Sequence, residues 1–486
     1  MDRTQRAALA VIVLGTLMVA IDTTIVLLAL PTMAGDLHAG LDVMIWTILV
    51  YLLLTAVLTV HLGRIGDVYG RSRMFNAGFA VFTAGSFLCA LAPDAYSLIG
   101  FRVVQAVGGS LMAANSGAIV ADIFPPESRG KAFGYTTLGW SAGATVGIVL
   151  GGIITTLVGW RYIFFLNVPI GIVAVPLGIR TLRDPTRVRS RVDVRGMLLL
   201  GVALTLITYG ATEAVALPNP LLDLGLVGGG FALLGLFLWT ERRNPNPTLD
   251  LGLFRERLLS YSLGASFFQS LGYLSVSFLV IMYLQGIRGL SPLDASLLLV
   301  PGYVLASFFA PFTGRLSDRQ GPRLPATLGI SVMLVAVLLY ATLVFTSDSP
   351  LLLVAVVALV GGIGTSFFYP ANNSAIMGSA RRESYGSVSG LARALGNLGT
   401  LGSFVLTISV ATLAVPRAVA FEVFLGTSSL VGGVSVAFLG GLKVALEAAA
   451  VALALAAVLS YLRGQRPAAP RPSAGGPVVS MARDPK

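Results

Sequence analysis

The residues most able to do chemistry in this sequence are charges set inside apolar runs. Asp22 lies in Ile21-Asp22-Thr23-Thr24-Ile25, with no basic residue within a helical turn. Arg102 opens the stretch Arg102-Val-Val-Gln105-Ala-Val-Gly108-Gly109. A charge at the centre of a bilayer costs roughly 2.5–3.5 kcal/mol on insertion scales, so each one needs a partner, a cavity or a task. A carboxyl withdrawn from water takes up a proton more readily. Asp22 is therefore a candidate to bind a proton, or to hold the positive charge of a cationic substrate. The structural alternative is that it only hydrogen-bonds Thr23, Thr24 or a neighbouring helix. Arg102 stays charged at physiological pH and must find a carboxylate, carbonyl groups or cavity water. Glu213, near the outer end of its run, either snorkels to the interface or handles substrate or protons. Lys443 and Glu447 have the spacing of a helix-surface ion pair. Arg393 is expected to snorkel toward the cytoplasmic interface.

Two further groups of polar residues sit at helical spacing. Gln269, Tyr273, Tyr283 and Gln285 fall in one run, and Tyr369, Asn372 and Asn373 in another. A mixed aromatic and amide lining suits amphipathic organic molecules, although any one member also serves as a helix–helix hydrogen bond. Other chemistries find no residues. The single cysteine, Cys89, reads as packing, and two distant histidines, His38 and His61, suggest no metal site. No G-x-x-x-x-G-K-[ST] motif is present, and the glycine clusters lie in apolar runs without a βαβ unit. No cofactor is expected, so energy must come from an ion gradient or from the substrate's own gradient.

The elements that position these residues are membrane helices. Hydrophobic residues make up 55% of the 486, and only 11% are charged, far below the quarter usual in soluble domains. Lipid must cover the remainder. A bilayer core needs roughly 20 apolar residues per helix, and the runs from 7–31 to 443–462 count fourteen. The first is too long for a signal-peptide core and reads as an uncleaved helix. The net charge of +11 would suggest nucleic acid only if its Lys and Arg shared one soluble face. Instead, most lie in alternate short loops, which sets both termini in the cytoplasm by the positive-inside rule. The linker Arg180–Arg195 carries six arginines, fit to anchor at anionic headgroups. Residues 415–442, rich in Gly and Ser, are expected to form a re-entrant or interfacial hairpin on the outer side. The tail 463–486, rich in Pro, Ala and Arg, is expected to be disordered.

An internal repeat organises the chain. Gly63-Arg-Ile-Gly-Asp67-Val-Tyr-Gly70-Arg71 and Gly314-Arg-Leu-Ser-Asp318-Arg-Gln-Gly321 share the pattern G-R-x-x-D-x-x-G. Each lies between the second and third spans of a six-span block, on the expected cytoplasmic side. Glycines let helix ends turn and approach, while the Asp caps a helix or pairs with an Arg.

This repeat resembles the loop signature of the major facilitator superfamily. The resemblance implies an all-α membrane fold of two pseudo-symmetric six-helix halves that rock around a midplane site. The halves would be 1–182 and 258–462, with two inserted helices in 183–257. Such an arrangement is similar to the fourteen-helix drug:proton antiporter branch. Ile21-Asp22-Thr-Thr-Ile-Val26 and Trp160-Arg161-Tyr162-Ile-Phe164-Phe165-Leu-Asn167-Val-Pro169 look like that branch's motifs, as does Leu253-Phe254-Arg255. The Arg102 motif departs from R-x-x-Q-G-x-G at Ala106. Gly139, Gly143, Gly147 and Gly151 form a four-residue stripe for close helix packing, but Ile148 stands where the antiporter signature has proline.

The resemblance implies proton-coupled efflux of amphipathic compounds, cationic ones among them, with Arg102 tuning the protonation of a nearby acid such as Asp22. The alternatives are a dedicated exporter or facilitator of one metabolite, which the departure at Ile148 keeps open, and a membrane enzyme or channel. The expected partners are small-molecule substrates, protons and lipid, with no nucleic acid. The expected form is a monomer in a bacterial inner membrane.

Overall fold

The computed structural model describes residues 1–44, 46–184, 193–216, 220–244, 251–346, 348–414 and 433–464. Those residues are helical almost throughout. In lipid no water satisfies a bare backbone amide, so a chain this apolar closes its hydrogen bonds within helices. We label the long helices α1 (Arg3–Asp36), α2 (Trp46–Tyr69), α3 (Arg71–Ala90), α4 (Ala95–Ile123), α5 (Arg129–Leu157) and α6 (Asn167–Thr181). After the linker come α7 (Val194–Ala216) and α8 (Pro220–Glu241). The chain continues with α9 (Arg257–Met282), α10 (Val300–Gln320), α11 (Arg323–Leu339), α12 (Leu351–Ser379), α13 (Tyr385–Ala414) and α14 (Gly433–Leu462). Ten helices among the described residues are long and apolar enough to cross a membrane; α3, α7, α9 and α13 are not among them, α7 being apolar over Val194–Gly210 only.

Polar residues start these helices where the chain leaves the bundle. Asp2 caps α1, accepting from the Gln5 amide at 2.6 Å while the Gln5 side chain accepts from the Asp2 amide. Asp94 caps α4 through the amide and hydroxyl of Ser97.

The packing carries a two-fold pattern. α1 packs on α5 as α9 packs on α13; α3 packs on α4 as α11 packs on α12; α2 meets α4 as α10 meets α12. Across the middle, α2 lies along α13 and α10 along α5. Glycines set the closest approaches. A Cβ on Gly78 of α3 would press on the Gly108 carbonyl of α4, and one on Gly329 of α11 on the Gly364 carbonyl of α12. The stripe on α5 receives α1: Gly139 faces Val13, Gly143 faces Leu17 and Gly147 faces Ile21 and Thr24. Gly151 continues it and is buried. α7 and α8 pair with each other, and α7 touches α2 and α13 at the rim.

Two expectations change at the C-terminus. Residues 415–432 of the expected hairpin lie outside the described residues, but 433–442 already belong to α14. Arg463, assigned to the tail, is buried, because it donates to the Ser460 carbonyl and to Asn372 Oδ1 at 3.0 Å. A residue that stops a helix in an oily bundle must satisfy the last carbonyls, and Arg463 does so.

Candidate functional site

The two charges singled out in the N-terminal helices meet. Arg102 of α4 donates from Nη1 to Asp22 Oδ2 of α1 at 2.7 Å, with both side chains almost wholly buried. No basic residue lies within a turn of Asp22 along its own helix, and the guanidinium that meets it comes from another. Gln105 and Asn167 complete the shell of Asp22 Oδ1, at 2.8 and 3.3 Å. Gln105 also donates to Ser86 Oγ at 2.6 Å and accepts from Arg102 at 2.5 Å. Arg102 reaches the Thr47 carbonyl at 3.0 Å and lies over the Tyr51 ring, 4.4 Å from its centre.

Five helices thus converge on one carboxylate. Its charge is compensated by a guanidinium and two amide donors, the arrangement a buried ion requires. Three polar atoms at its edge have no partner: Thr47 Oγ1, Tyr51 Oη and Asn167 Oδ1. Asp22 and Arg102 were legible as lone charges. Gln105, Ser86, Asn167, Thr47 and Tyr51 were not assigned, because an uncharged polar residue in a helix gives no sign of the helix it faces.

The duplicated loops meet in a second arrangement at one end of the bundle. Asp67 accepts from the Gly386 and Ser387 amides at 2.8 and 2.9 Å, and from the Ser387 hydroxyl. It thereby caps the first turn of α13. Asp318 accepts from the Gly130 and Lys131 amides at 2.7 and 2.9 Å, capping α5. Each signature Asp closes onto the opposite half, where helix N-termini attract negative charge. Bare glycines allow the contact: a Cβ on Gly63 would collide with the Gly386 carbonyl, and one on Gly314 with the Gly130 carbonyl. Gly70 and Gly321 turn the chain between helices with φ of 113° and 81°, which favours glycine.

Arg71 reinforces the first clasp only. It reaches Asp67 at 2.7 Å, Asp122 at 2.5 Å and the Arg382 carbonyl at 2.5 Å. The corresponding residue beside Asp318 is Pro322. Arg129 bridges the halves from α5 to the Tyr385 hydroxyl at 2.9 Å and the Met377 carbonyl. The signal for these partners was a second repeat, Glu127-Ser128-Arg129-Gly130 and Glu383-Ser384-Tyr385-Gly386, each followed four residues later by Gly134 and Gly390.

The expected cavity residues divide. Tyr273 lines a cavity in the C-terminal helices with Tyr303, Tyr340, Gly302 and Ala358. Gln269 is buried in the same helices, its Nε2 donating to Met333 Sδ at 3.6 Å. Tyr283 does not belong there: its hydroxyl holds the Thr346 carbonyl at 2.7 Å and accepts from Arg288 at 3.0 Å, tying the outer loops. Asn372 is consumed by Arg463 and the Ser262 carbonyl. Asn373 sits on α12, half-buried. The side chains of Gln285, Glu213 and Ile148 lie outside the described residues; Glu213 belongs to α7 at the rim.

A symmetric helical bundle with a buried ion pair and paired clasps between its halves has the form of a carrier rather than an enzyme. The Major Facilitator Superfamily model matches residues 12–403, and the chain belongs to that family. It is similar to the riboflavin transporter RibZ of Clostridioides difficile, with 33% identity over 387 residues, 78% of this chain and 82% of that one. It is also similar to the multidrug resistance protein Stp of Mycobacterium tuberculosis, with 31% identity over 84% of this chain and 76% of that one. Such relatives are those of the drug-efflux branch. Among solved structures, the human organic anion transporter MFSD10 superposes with a TM-score of 0.67 at 16% identity, covering 95% of this chain and all of that one, and shows the fold alone. The protein is a multi-pass membrane transporter.

Proposed function

We propose that this transporter exports amphipathic organic compounds in exchange for protons, with Asp22 as the proton-binding group and Arg102 as its switchable counter-charge. The observation that carries the reading is the ion pair between them, buried across two helices of a carrier fold. A proton arriving on Asp22 cancels its charge and releases Arg102, which must then find another acceptor. The unpartnered Tyr51 and Thr47 oxygens beside it offer two. Breaking such a pair alters the packing of α1 against α4, which links protonation to helix movement. On the cytoplasmic side, parting of the halves requires Asp67 and Asp318 to leave the helix ends they cap.

The reading includes fourteen membrane-spanning helices, the halves 1–182 and 258–462 rocking about a central site, and α7 and α8 inserted between them. Both termini would face the cytoplasm of a bacterial inner membrane, with the monomer as the working unit. A proton gradient would supply the energy, since the sequence holds no nucleotide-binding loop.

The test is transport of organic dyes into inverted vesicles on an imposed proton gradient. Uptake that a protonophore abolishes, and that Asp22→Asn lowers to background at unchanged protein level, is the expected result. Undiminished gradient-driven uptake by Asp22→Asn would remove the mechanism. A second reading, export of a single metabolite, is favoured by the similarity to a riboflavin transporter. A panel in which only one compound moves would select it.

A further inference from the structure

Arg393 of α13 is a second charge at membrane depth, and nothing balances it. Among the described residues no carboxylate pairs with its guanidinium, and no protein acceptor takes a hydrogen bond from it. About eight residues into α13, it lies roughly 12 Å along the helix from the cytoplasmic end.

Its direction follows from Ser389, one turn earlier on the same face. Ser389 lies against Gly117 of α4, where a Cβ would press on the serine hydroxyl. Arg393 therefore points into the seam between the halves, where its nearest charged or titratable neighbour is Tyr369 of α12. Tyr369 neighbours Tyr303, which lines the cavity with Tyr273 and Tyr340. An aromatic cavity and a cation without a protein acceptor thus share the C-terminal helices.

The charges of the interior then do not cancel. Asp22 is matched by Arg102, and Lys443 and Glu447 lie on the outer part of α14, with Glu447 exposed. Arg129 and Arg463 also lack a carboxylate, but carbonyl, hydroxyl and amide oxygens take their donors, whereas Arg393 has no such acceptor among the described residues. A partly buried guanidinium without a partner is poorly satisfied, and a ligand that supplies the missing acceptor gains affinity from it. A cationic substrate would meet repulsion in the same place.

We propose that Arg393 is the recognition point for a negative charge on the substrate, and that the transported compounds are aromatic organic anions. This rests on the exporter reading for its transport step, but the recognition itself does not require proton coupling. Substrate and proton bind in different halves, the anion by Arg393 and the proton at Asp22. Exchange of an entering proton for a leaving anion moves both charges down an inside-negative potential.

The experiment uses the full-length protein in lipid nanodiscs and two dyes sharing a xanthene ring but differing in charge, fluorescein and a cationic rhodamine. Fluorescence polarisation should show native protein preferring fluorescein by about tenfold or more. Arg393→Gln should remove that preference by weakening fluorescein while leaving the rhodamine within about twofold. Arg393→Lys should keep part of it. A merely structural arginine would weaken both dyes together, so an unchanged ratio in Arg393→Gln overturns the proposal. So does native protein that binds the rhodamine as tightly, or that shows no saturable fluorescein binding. Proteoliposome export separates the two readings. Protonophore-sensitive rhodamine export untouched by Arg393→Gln would sink the anion class and leave the exporter. Arg393-dependent fluorescein binding without gradient-driven movement would do the reverse.

Discussion

The two halves of the bundle share a backbone plan and differ in what fills it. Matching Gly108 with Gly364 sets Arg102 against Ala358 and Gln105 against Gly361. Matching Asp67 with Asp318 sets Tyr51 against Gly302. The glycines Gly143 and Gly399, which receive the carbonyls of Leu17 and Phe267, bring Asp22 level with Gly272. Each principal member of the polar network thus has a small residue as its counterpart. The space this leaves is taken by tyrosines: a Cβ on Gly361 would strike the Tyr273 hydroxyl, and Gly302 and Ala358 line the cavity itself. One half holds a charge pair and the other a cleft. A duplicated fold can divide its labour this way, because helix packing depends on the glycines that are kept and not on the side chains that face inward.

The sharpest way to break that contrast is to neutralise the network. Asp22→Asn alone should cost about 3–5 kcal/mol, because it leaves Arg102 buried and unpaired. The double change with Arg102→Gln should regain most of that stability, read by thermal unfolding in detergent, yet show no proton-driven transport. Recovery of transport along with stability would mean that the pair is scaffolding.

The clasps between the halves offer a second contrast. Asp67 holds Arg71 as well as a helix end, whereas Asp318 holds only a helix end. Asp67→Ala should therefore cost about 3–5 kcal/mol, and Asp318→Ala about 1–2 kcal/mol, by the same measurement. Equal losses would show that Arg71 adds nothing.

The closely packed glycines should erase the difference between halves. Gly63→Ala and Gly314→Ala each place a methyl group against an opposing carbonyl, so both should hold the halves apart at the clasps to a similar degree. Modification rates of a cysteine placed at Ser387, in a Cys89→Ser background, would show it. A response from one glycine alone would make the clasps independent.

The smallest effect concerns the outer surface. The Trp160 indole N–H and then the Arg161 guanidinium hold the Asp36 carboxyl below its ordinary value of 3.8. A carboxyl so lowered contributes stability above its ordinary value and loses it as pH falls through the folded one. Trp160 emission should therefore stay constant from neutral pH down to the carboxylate range and change only below it. A change near neutrality would point to another group.

Much of the architecture was legible because lipid imposes it. Apolar runs, the repeated Gly-Arg-x-x-Asp-x-x-Gly loops and the glycine stripe on α5 each reflect constraints that act within a few residues. Asp22 and Arg102 were visible for the same reason, since a charge in an oily run is conspicuous by itself. Tyr283 and Asn372 were misplaced in the expected cavity because a polar residue on a helix does not reveal which neighbour it meets. The second repeat, from Glu127 and Glu383, was on the page but carries only four matching positions, and its meaning lies in contacts across hundreds of residues.

The amino-acid order thus settled that the chain lives in a membrane, that it is duplicated, and which charges need an explanation. Only the folded bundle decided that Arg102 answers Asp22, that each loop Asp caps the far half, and that Arg393 is left without an answer. Helix formation and lipid partitioning are local free energies summed along the chain. The pairing of buried charges depends on which helices come together, and that is fixed by packing between residues far apart in sequence.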